Sequence, residues 1–258
     1  MADRFRGTDA ITTIQGESAP ELDILPGPFE WCVIPSGTTT LTSFGTVDVE
    51  PFEMAKYPVT AGQFDCFIQA VDGYEDPRWW AGLAKRPAAP AHQSYEDNRV
   101  ARVFVDWYEC TAFCRWLSHR LDRNVRLPTE WEWQRAASSQ DESDYPWGGP
   151  FRSSLCNTKE AGLATVTPVD MYSGGASQFG VMDLSGNVWE RCLGIFDDPA
   201  NISAGGASNR TIRGGSWRYG RAEAKIRYRQ VCIADRRFDD GGFRVVRDAR
   251  PAATERVS

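Results

Sequence analysis

Histidine is nearly absent from this chain of 258 residues, and its two copies, His92 and His119, have no Cys or carboxylate neighbours at ligand spacing. Histidine catalysis and a histidine metal centre have little to build on. No run of about 18 apolar residues is present to span a bilayer, and Met1 to Ser18 lacks the apolar block of a secretory signal. These absences predict a cytoplasmic protein with no membrane partner. An even cysteine count is missing too. Cys32, Cys66, Cys110, Cys114, Cys156, Cys192 and Cys232 are odd in number and scattered through apolar context, which predicts reduced, buried thiols. Cys110 and Cys114 have the spacing of a metal or redox pair, but their helical surroundings offer no second Cys/His pair, so they read as core.

What is present points to one large domain rather than two, since the chain is 41% hydrophobic and has no low-complexity linker. Ten tryptophans, 23 glycines and 15 prolines predict much loop held by aromatic anchors, not a helical bundle or a doubly wound sheet. Charge is unevenly placed. Arg213 to Arg247 holds ten Lys/Arg against four Asp/Glu, a local +6 in a chain of net charge -6, so the other residues sum to -12. A pI near 5.1 and the lack of lysine clusters argue against a nucleic-acid partner.

Met1 to Asp23 is polar and without periodicity. Phe29 to Gly37 reads as a strand ending at a Pro/Gly turn, and with the Thr- and Val-rich run Thr38 to Glu50 it predicts an early antiparallel pair. Three helices announce themselves by capping boxes. Thr60 and Gln63 open one over 61–71, with Phe64, Phe67, Ile68 and Val71 at helical spacing. Asp106 and Glu109 open Trp107 to Leu121, and Thr129 and Glu132 open a third ending at Ala137. Gly73 to Val103 has no period and reads as a long loop, in which Trp79 and Trp80 either pin the chain or line a pocket. Thr165 to Val169 reads as a short strand. The Arg-Thr-Ile-Arg run before Gly214 and the Gly-Gly-Phe-Arg-Val-Val-Arg run after Asp240 read as strands bracketing an irregular, Arg-rich excursion.

The stretch Gly180-Val-Met-Asp-Leu-Ser-Gly-Asn-Val-Trp-Glu190 places Asp183, Asn187 and Glu190 within eight residues around a glycine. Hard oxygen donors on a turning backbone suit calcium. A turn whose polar side chains satisfy its own backbone has the same composition, and the spacing alone leaves both readings open.

Lys56-Tyr-Pro-Val-Thr60, Asp106-Trp-Tyr-Glu109, Arg126-Leu-Pro-Thr-Glu-Trp-Glu-Trp133, the Gly180–Glu190 stretch, Arg213-Gly-Gly-Ser-Trp217 and Gly242-Phe-Arg244 occur in this order. The succession resembles the formylglycine-generating enzyme (sulfatase-modifying factor) family across roughly residues 28 to 247. The resemblance implies an α+β domain of C-type-lectin-like type, low in regular secondary structure, with residues 1–27 as an arm and 248–258 as a tail. It also implies structural calcium, with Asp183 and Glu190 as side-chain ligands and Gly186 and Val188 as carbonyl ligands. A second calcium would begin at Asn157 and Thr158. Catalytic members bind copper through two cysteines placed where this chain has Tyr219 and Ala224, so no copper is expected. The related sulfoxide synthases take iron from a histidine-rich helical domain that these 258 residues do not contain.

A non-catalytic branch of the same fold is formed by variable proteins of diversity-generating retroelements, whose C-terminal segment is rewritten to alter ligand binding. This chain fits their frame at Trp217, Arg229, Asp235, Arg237 and Gly242-Phe-Arg244. The open positions are then Arg218, Tyr219, Gly220, Ala222, Glu223, Tyr228, Gln230, Val231, Cys232, Ile233, Arg236, Phe238, Asp239 and Asp240. Their mixture of aromatic, Arg and apolar residues is that of a binding patch, whereas Arg213, Arg229, Arg237 and Arg244 are expected to tie loops internally. The expectation is a ligand-binding protein for a protein ligand, working alone or beside a separately encoded effector. The alternative is an oxidoreductase of the family with altered chemistry in the groove near Trp217, Tyr219 and Cys232.

Overall fold

The computed structural model describes residues 24–93, 97–138, 143–206 and 208–249. The expected arm and tail therefore lie outside the described residues except at their inner ends. Those ends are packed: Leu25 is buried in the core and the Gln63 amide donates to the carbonyls of Pro26 and Pro28, so the domain begins a few residues before 28. At the other end it runs to Asp248, in a strand.

All three capping boxes form. Helix α1 is Ala61–Gln69, α2 is Trp107–Leu121 and α3 is Glu130–Ala137. In α2 the Asp106 carboxylate accepts from the Glu109 amide and Glu109 accepts from the Asp106 amide, both at 2.9 Å, satisfying two N–H groups that the helix cannot. Helix α1 ends before Val71, which is fully exposed. The apolar spacing there overran the helix because the chain turns at Gly73, where a Cβ would lie 1.9 Å from the Phe67 carbonyl oxygen.

Strands β1 (Trp31–Ile34), β4 (Phe52–Ala55), β10 (Val246–Asp248) and β5 (Val125–Arg126) make one antiparallel sheet in the order β1-β4-β10-β5. Strands β2 (Gly37–Leu41) and β3 (Gly45–Val49) form a separate hairpin. The expected early pair is thus wrong in its partners. The run from Thr38 to Glu50 folds back on itself, and the strand at Trp31 pairs with β4 beyond it. A second sheet has the order β8-β7-β6-β9, from β8 (Arg229–Cys232), β7 (Arg210–Arg213), β6 (Trp189–Ile195) and β9 (Gly241–Gly242), with β9 parallel to β6. Thr165 to Val169 is not a strand and contributes one isolated bridge, at Pro168.

The first bracket of the Arg-rich excursion lies in this second sheet as β7 and the second bracket begins there as β9, from which the chain crosses to β10 in the first sheet within three residues. Phe243, fully buried, fills that crossing against Phe113 at 5.4 Å and Phe64 at 6.1 Å. Gly242 is needed there because a Cβ would sit 2.7 Å from the Arg102 carbonyl oxygen. The same aromatic core takes in Phe67, Tyr74 and Trp116. Trp79 and Trp80 are buried, and their indoles donate to the carbonyls of Asp72 and Tyr74, so they pin the long loop instead of lining a pocket. All seven cysteines are free and only Cys66 is not buried; burial raises the thiols of Cys110 and Cys114, as core residues.

Candidate ligand-binding face

The C-terminal segment is held by acids at the starts of helices. Glu109, in the first turn of α2, accepts from Arg237 Nε at 2.8 Å and Nη2 at 2.7 Å and from the Tyr74 hydroxyl at 3.0 Å. Glu130, first residue of α3, is shared by Arg213 Nη1 at 2.5 Å, by the Arg229 guanidinium and by Thr211 at 3.0 Å. Burial alone would raise the Glu130 carboxyl, but the Arg229 and Arg213 charges outweigh it and hold it below the usual range. Arg244 grips Glu190 of β6 through Nε at 2.6 Å and Nη2 at 2.5 Å, and donates to the Met182 and Ala55 carbonyls. The four arginines expected to be internal all turn inward, each in a bidentate or shared pair with a buried carboxylate, though only Arg213 and Arg244 are fully buried and Arg229 and Arg237 are partly exposed. Asp235, the other charged framework position, is exposed and pairs with Lys85 at 2.8 Å.

Between these anchors the side chains turn outward. Of the fourteen open positions, all but Cys232 and Asp240 are at least partly exposed. Cys232 alternates inward along β8 and packs with Trp189 and Ile212, its sulfur 3.6 Å from Arg191 Nη1. Asp240 accepts from the Ser216 hydroxyl at 2.6 Å, and burial raises its carboxyl. These two are scaffold, which corrects the expectation that they face a ligand. Gly220 lies against Glu160, where a Cβ would be 3.1 Å from Oε1, so a side chain here would displace the Glu160 carboxylate slightly.

The floor of the face is Trp189 of β6, whose ring meets Tyr219 edge-on at 5.3 Å and Tyr228 at 6.0 Å. Phe238 lies under the guanidiniums of Arg191 and Arg236. Arg218 stacks on Trp217 at 4.4 Å and pairs with Asp239 at 2.5 Å. Beside the face, a cavity of about 470 Å³ opens between Tyr145, Phe151 and the Arg221–Lys225 turn. Sequence reasoning missed Trp189 and Tyr145, buried side chains that underlie the face and line the cavity beside it. Their motifs read as loop and turn, and only the strand order of the sheet brings Trp189 beneath the segment. Tyr219 is exposed and Ala224 is buried.

The oxygen-rich loop lies directly behind. Asp183, Gly186 and Asn187 have left-handed backbones, and a Cβ on Gly186 would sit 2.3 Å from the Asn157 carbonyl oxygen, so the two expected cation loops touch. Asn187 joins them: its amide donates to Asp183 Oδ2 at 2.8 Å, its backbone N–H to the Asn157 carbonyl at 2.7 Å. Asp183 Oδ1 and Asn157 Oδ1 are buried without a hydrogen-bond partner. Burial pushes the Asp183 carboxyl up to about 7. Two orphaned hard oxygens beside carbonyl-bearing turns fit a calcium-type cation. Glu190 differs from the expectation in that Arg244 and the Trp133 indole already take its carboxylate. Thr158 is buried just before the turn at Lys159–Ala161, and Val188 is fully buried. Among the described residues no three His, Cys, Asp or Glu side chains converge, so a cation here would depend on amide and carbonyl oxygens.

The loops are tied to the face by backbone bonds. Lys159 N–H donates to the Tyr219 carbonyl at 2.8 Å, Trp217 N–H to Asn187 at 3.1 Å, and Gly186 N–H to Gly214 at 2.7 Å.

Residues 16–249 match the model of the sulfatase-modifying factor enzyme 1-like domain. The chain belongs to this family. A mouse relative named inactive Cα-formylglycine-generating enzyme 2 is 31% identical over 250 residues, covering 79% of this chain and 77% of that protein. A hercynine oxygenase of Mycolicibacterium thermoresistibile is 28% identical over 207 residues, and the match covers 66% of this chain but 45% of that enzyme. Among solved structures, Treponema denticola variable protein 1 superposes with a TM-score of 0.63 at 18% identity, over 86% of this chain and 95% of that one. That likeness shows a shared fold. The family's sulfatase-modifying-factor fold accounts for the mixture of short strands, few helices and long ordered loops. No helix among the described residues is long and apolar enough to cross a membrane.

Proposed function

We propose that this family member is a non-catalytic ligand-binding protein that presents its 218–240 segment as the binding surface, with a protein as the ligand. One observation carries the reading: the four framework arginines face inward while most of the positions between them face outward. Arg213, Arg229, Arg237 and Arg244 point inward to Glu130, Glu109 and Glu190, while Arg218, Tyr219, Ala222, Val231, Ile233 and Arg236 between them are exposed. Side chains on such a surface change at small cost to the fold, because the acids that hold the segment lie elsewhere. The large aromatic anchors Tyr219 and Tyr228 over Trp189 are the groups from which binding hot spots are made.

The copper positions of the catalytic relatives, carried over by resemblance, are a phenol at Tyr219 and a methyl at Ala224. Neither supplies the thiolate that a soft Cu(I) site needs. The name of the mouse relative, inactive, agrees with this. Calcium, held by Asp183 and Asn157 with backbone carbonyls of the same two loops, would serve as a structural ion that neutralises a buried carboxylate behind the face.

Two measurements test the reading. Anaerobic competition with a Cu(I) chelator should find no stoichiometric tight copper, and the protein should not oxidise a cysteine peptide. The DNA flanking the gene should hold a near-copy of the segment coding Trp217 to Phe243, differing at adenines, with a reverse-transcriptase gene beside it. Tight copper together with peptide oxidation would end the non-catalytic reading.

A further inference from the structure

The face has a backbone edge as well as side chains. Strand β8 is the outermost strand in the order β8-β7-β6-β9, and its outer edge has no strand partner among the described residues. In place of a strand partner, the Val231 carbonyl has the side-chain amide of its own neighbour Gln230, at 3.4 Å. Antiparallel pairing directs the N–H and C=O of alternate residues to opposite edges. A carbonyl met by an exposed side chain marks Val231 as one of the outward pair.

Natural sheets guard such edges with charge, proline or a bulge. Here the guard is light: β8 has no proline, and beyond Val231 the Ile233 carbonyl is closed off by the Arg236 N–H at 3.1 Å. The only charge in β8, Arg229, is turned inward to Glu130 and the Phe196 carbonyl. Val231 is 39% exposed and Ile233, one residue beyond the strand, is 55% exposed. Just after them comes Arg236, exposed, with its guanidinium over Phe238 and no carboxylate partner among the described residues. The charges nearest to it are paired, Arg218 with Asp239 and Asp235 with Lys85, while farther along the turn Lys225 and Arg227 share the single carboxylate of Asp144. An open edge, two exposed aliphatic side chains and one cation without a carboxylate partner lie along seven residues or so of chain, with Val231 on the side of the sheet opposite Cys232 and Trp189.

We propose that the ligand engages this face as an extended strand that adds to the free edge of β8, with aliphatic side chains against Val231 and Ile233 and an acidic side chain within reach of Arg236. The inference rests on the ligand-binding reading above and names the kind of partner: a protein segment of acidic and aliphatic residues in β conformation. Main-chain pairing supplies a share of affinity that does not depend on which side chains the display positions carry, and the side chains supply selectivity. A surface whose side chains differ from one copy of the gene to another keeps a common mode of docking.

The test is selection from a phage-displayed library of random linear peptides on the immobilised full chain, followed by affinity measurements in solution. Enriched peptides should pair Asp or Glu with aliphatic residues. Backbone N-methylation of such a peptide should weaken binding about tenfold at alternating positions and little between them, the pattern of one-sided strand pairing. Arg236→Glu should weaken acidic peptides about tenfold, and a Lys in place of the peptide acid should restore binding to that variant. Uniform tolerance of N-methylation, or indifference to Arg236→Glu in peptides that still lose affinity with Tyr219→Ala, would overturn the strand inference and leave the binding face standing. No enriched peptide, or peptides indifferent to Arg236→Glu, Tyr219→Ala and Tyr228→Ala alike, would overturn both.

Discussion

Replacing Glu130 by glutamine removes one negative charge from the point where α3 holds the C-terminal segment, with almost no change of shape. The carboxylate faces three partners: Arg213, which is fully buried, Arg229, whose side chain is 13% exposed, and the Thr211 hydroxyl. Glutamine keeps one acceptor for these groups but leaves Arg213 as a buried cation without a counter-charge. Breaking one partner of a buried pair costs about 3–5 kcal/mol. The retained amide oxygen, and the Gln134 and Ile226 oxygens that Arg213 also reaches, place the loss near the lower end, roughly 3 kcal/mol. For a chain of this size that is a fall in Tm of roughly 6–12 °C. Chemical denaturation followed by tryptophan fluorescence reads it directly.

The pH dependence gives a second, independent reading of the same pair. The folded carboxyl of Glu130 lies below its ordinary value, so its contribution is present above the unfolded value of about 4.3. It is lost as pH falls through the lower folded value. The stability gap between wild type and Glu130→Gln should be constant from about pH 6 to 8 and close below about pH 4. A loss under about 1 kcal/mol at neutral pH, or a gap that stays open in acid, would refute the argument that Arg213 depends on this charge.

Three further outcomes follow from the same geometry. Burial raises the folded Asp183 carboxyl to about 7, so the stability that its protonation contributes is complete below the unfolded carboxylate value and is lost as pH rises through about 7; metal-free protein should be more stable at pH 5 than at pH 8, and Asp183→Asn should flatten that slope and stabilise the metal-free form at pH 8. Calcium chelation should lower the Tm by several degrees and re-addition should restore it, with the effect lost in Asp183→Asn; an unchanged Tm would remove the cation from the loops of Asp183 and Asn157. Phe243→Ala should cost about 3–5 kcal/mol in denaturation, because the ring fills the crossing between the two sheets against Phe64 and Phe113; a loss below about 1 kcal/mol would mean that the crossing repacks.

The amino-acid sequence by itself determined the features that depend on neighbours three or four residues apart. The capping boxes at Thr60, Asp106 and Thr129 are local hydrogen-bond arrangements, and each helix starts where its box stands. The inward role of Arg213, Arg229, Arg237 and Arg244 was legible from the motif frame, though their carboxylate partners, 83 or more residues away in α2 and α3 for three of them, were not. Strand partners were decided only by the tertiary structure: a Val- and Thr-rich run states its β preference without naming its neighbour, so β1 pairing with β4 past an intervening hairpin has no local signal. The same holds for burial within the display segment. Cys232 and Asp240 share the composition of their exposed neighbours, and only the alternation of β8 and the place of β9 beside β6 turn them inward. The resemblance assigns Asp183 and Asn157 to two separate calcium sites; it is the tertiary contact of their two loops at Gly186, a glycine with no room for a Cβ, that brings the two loops together.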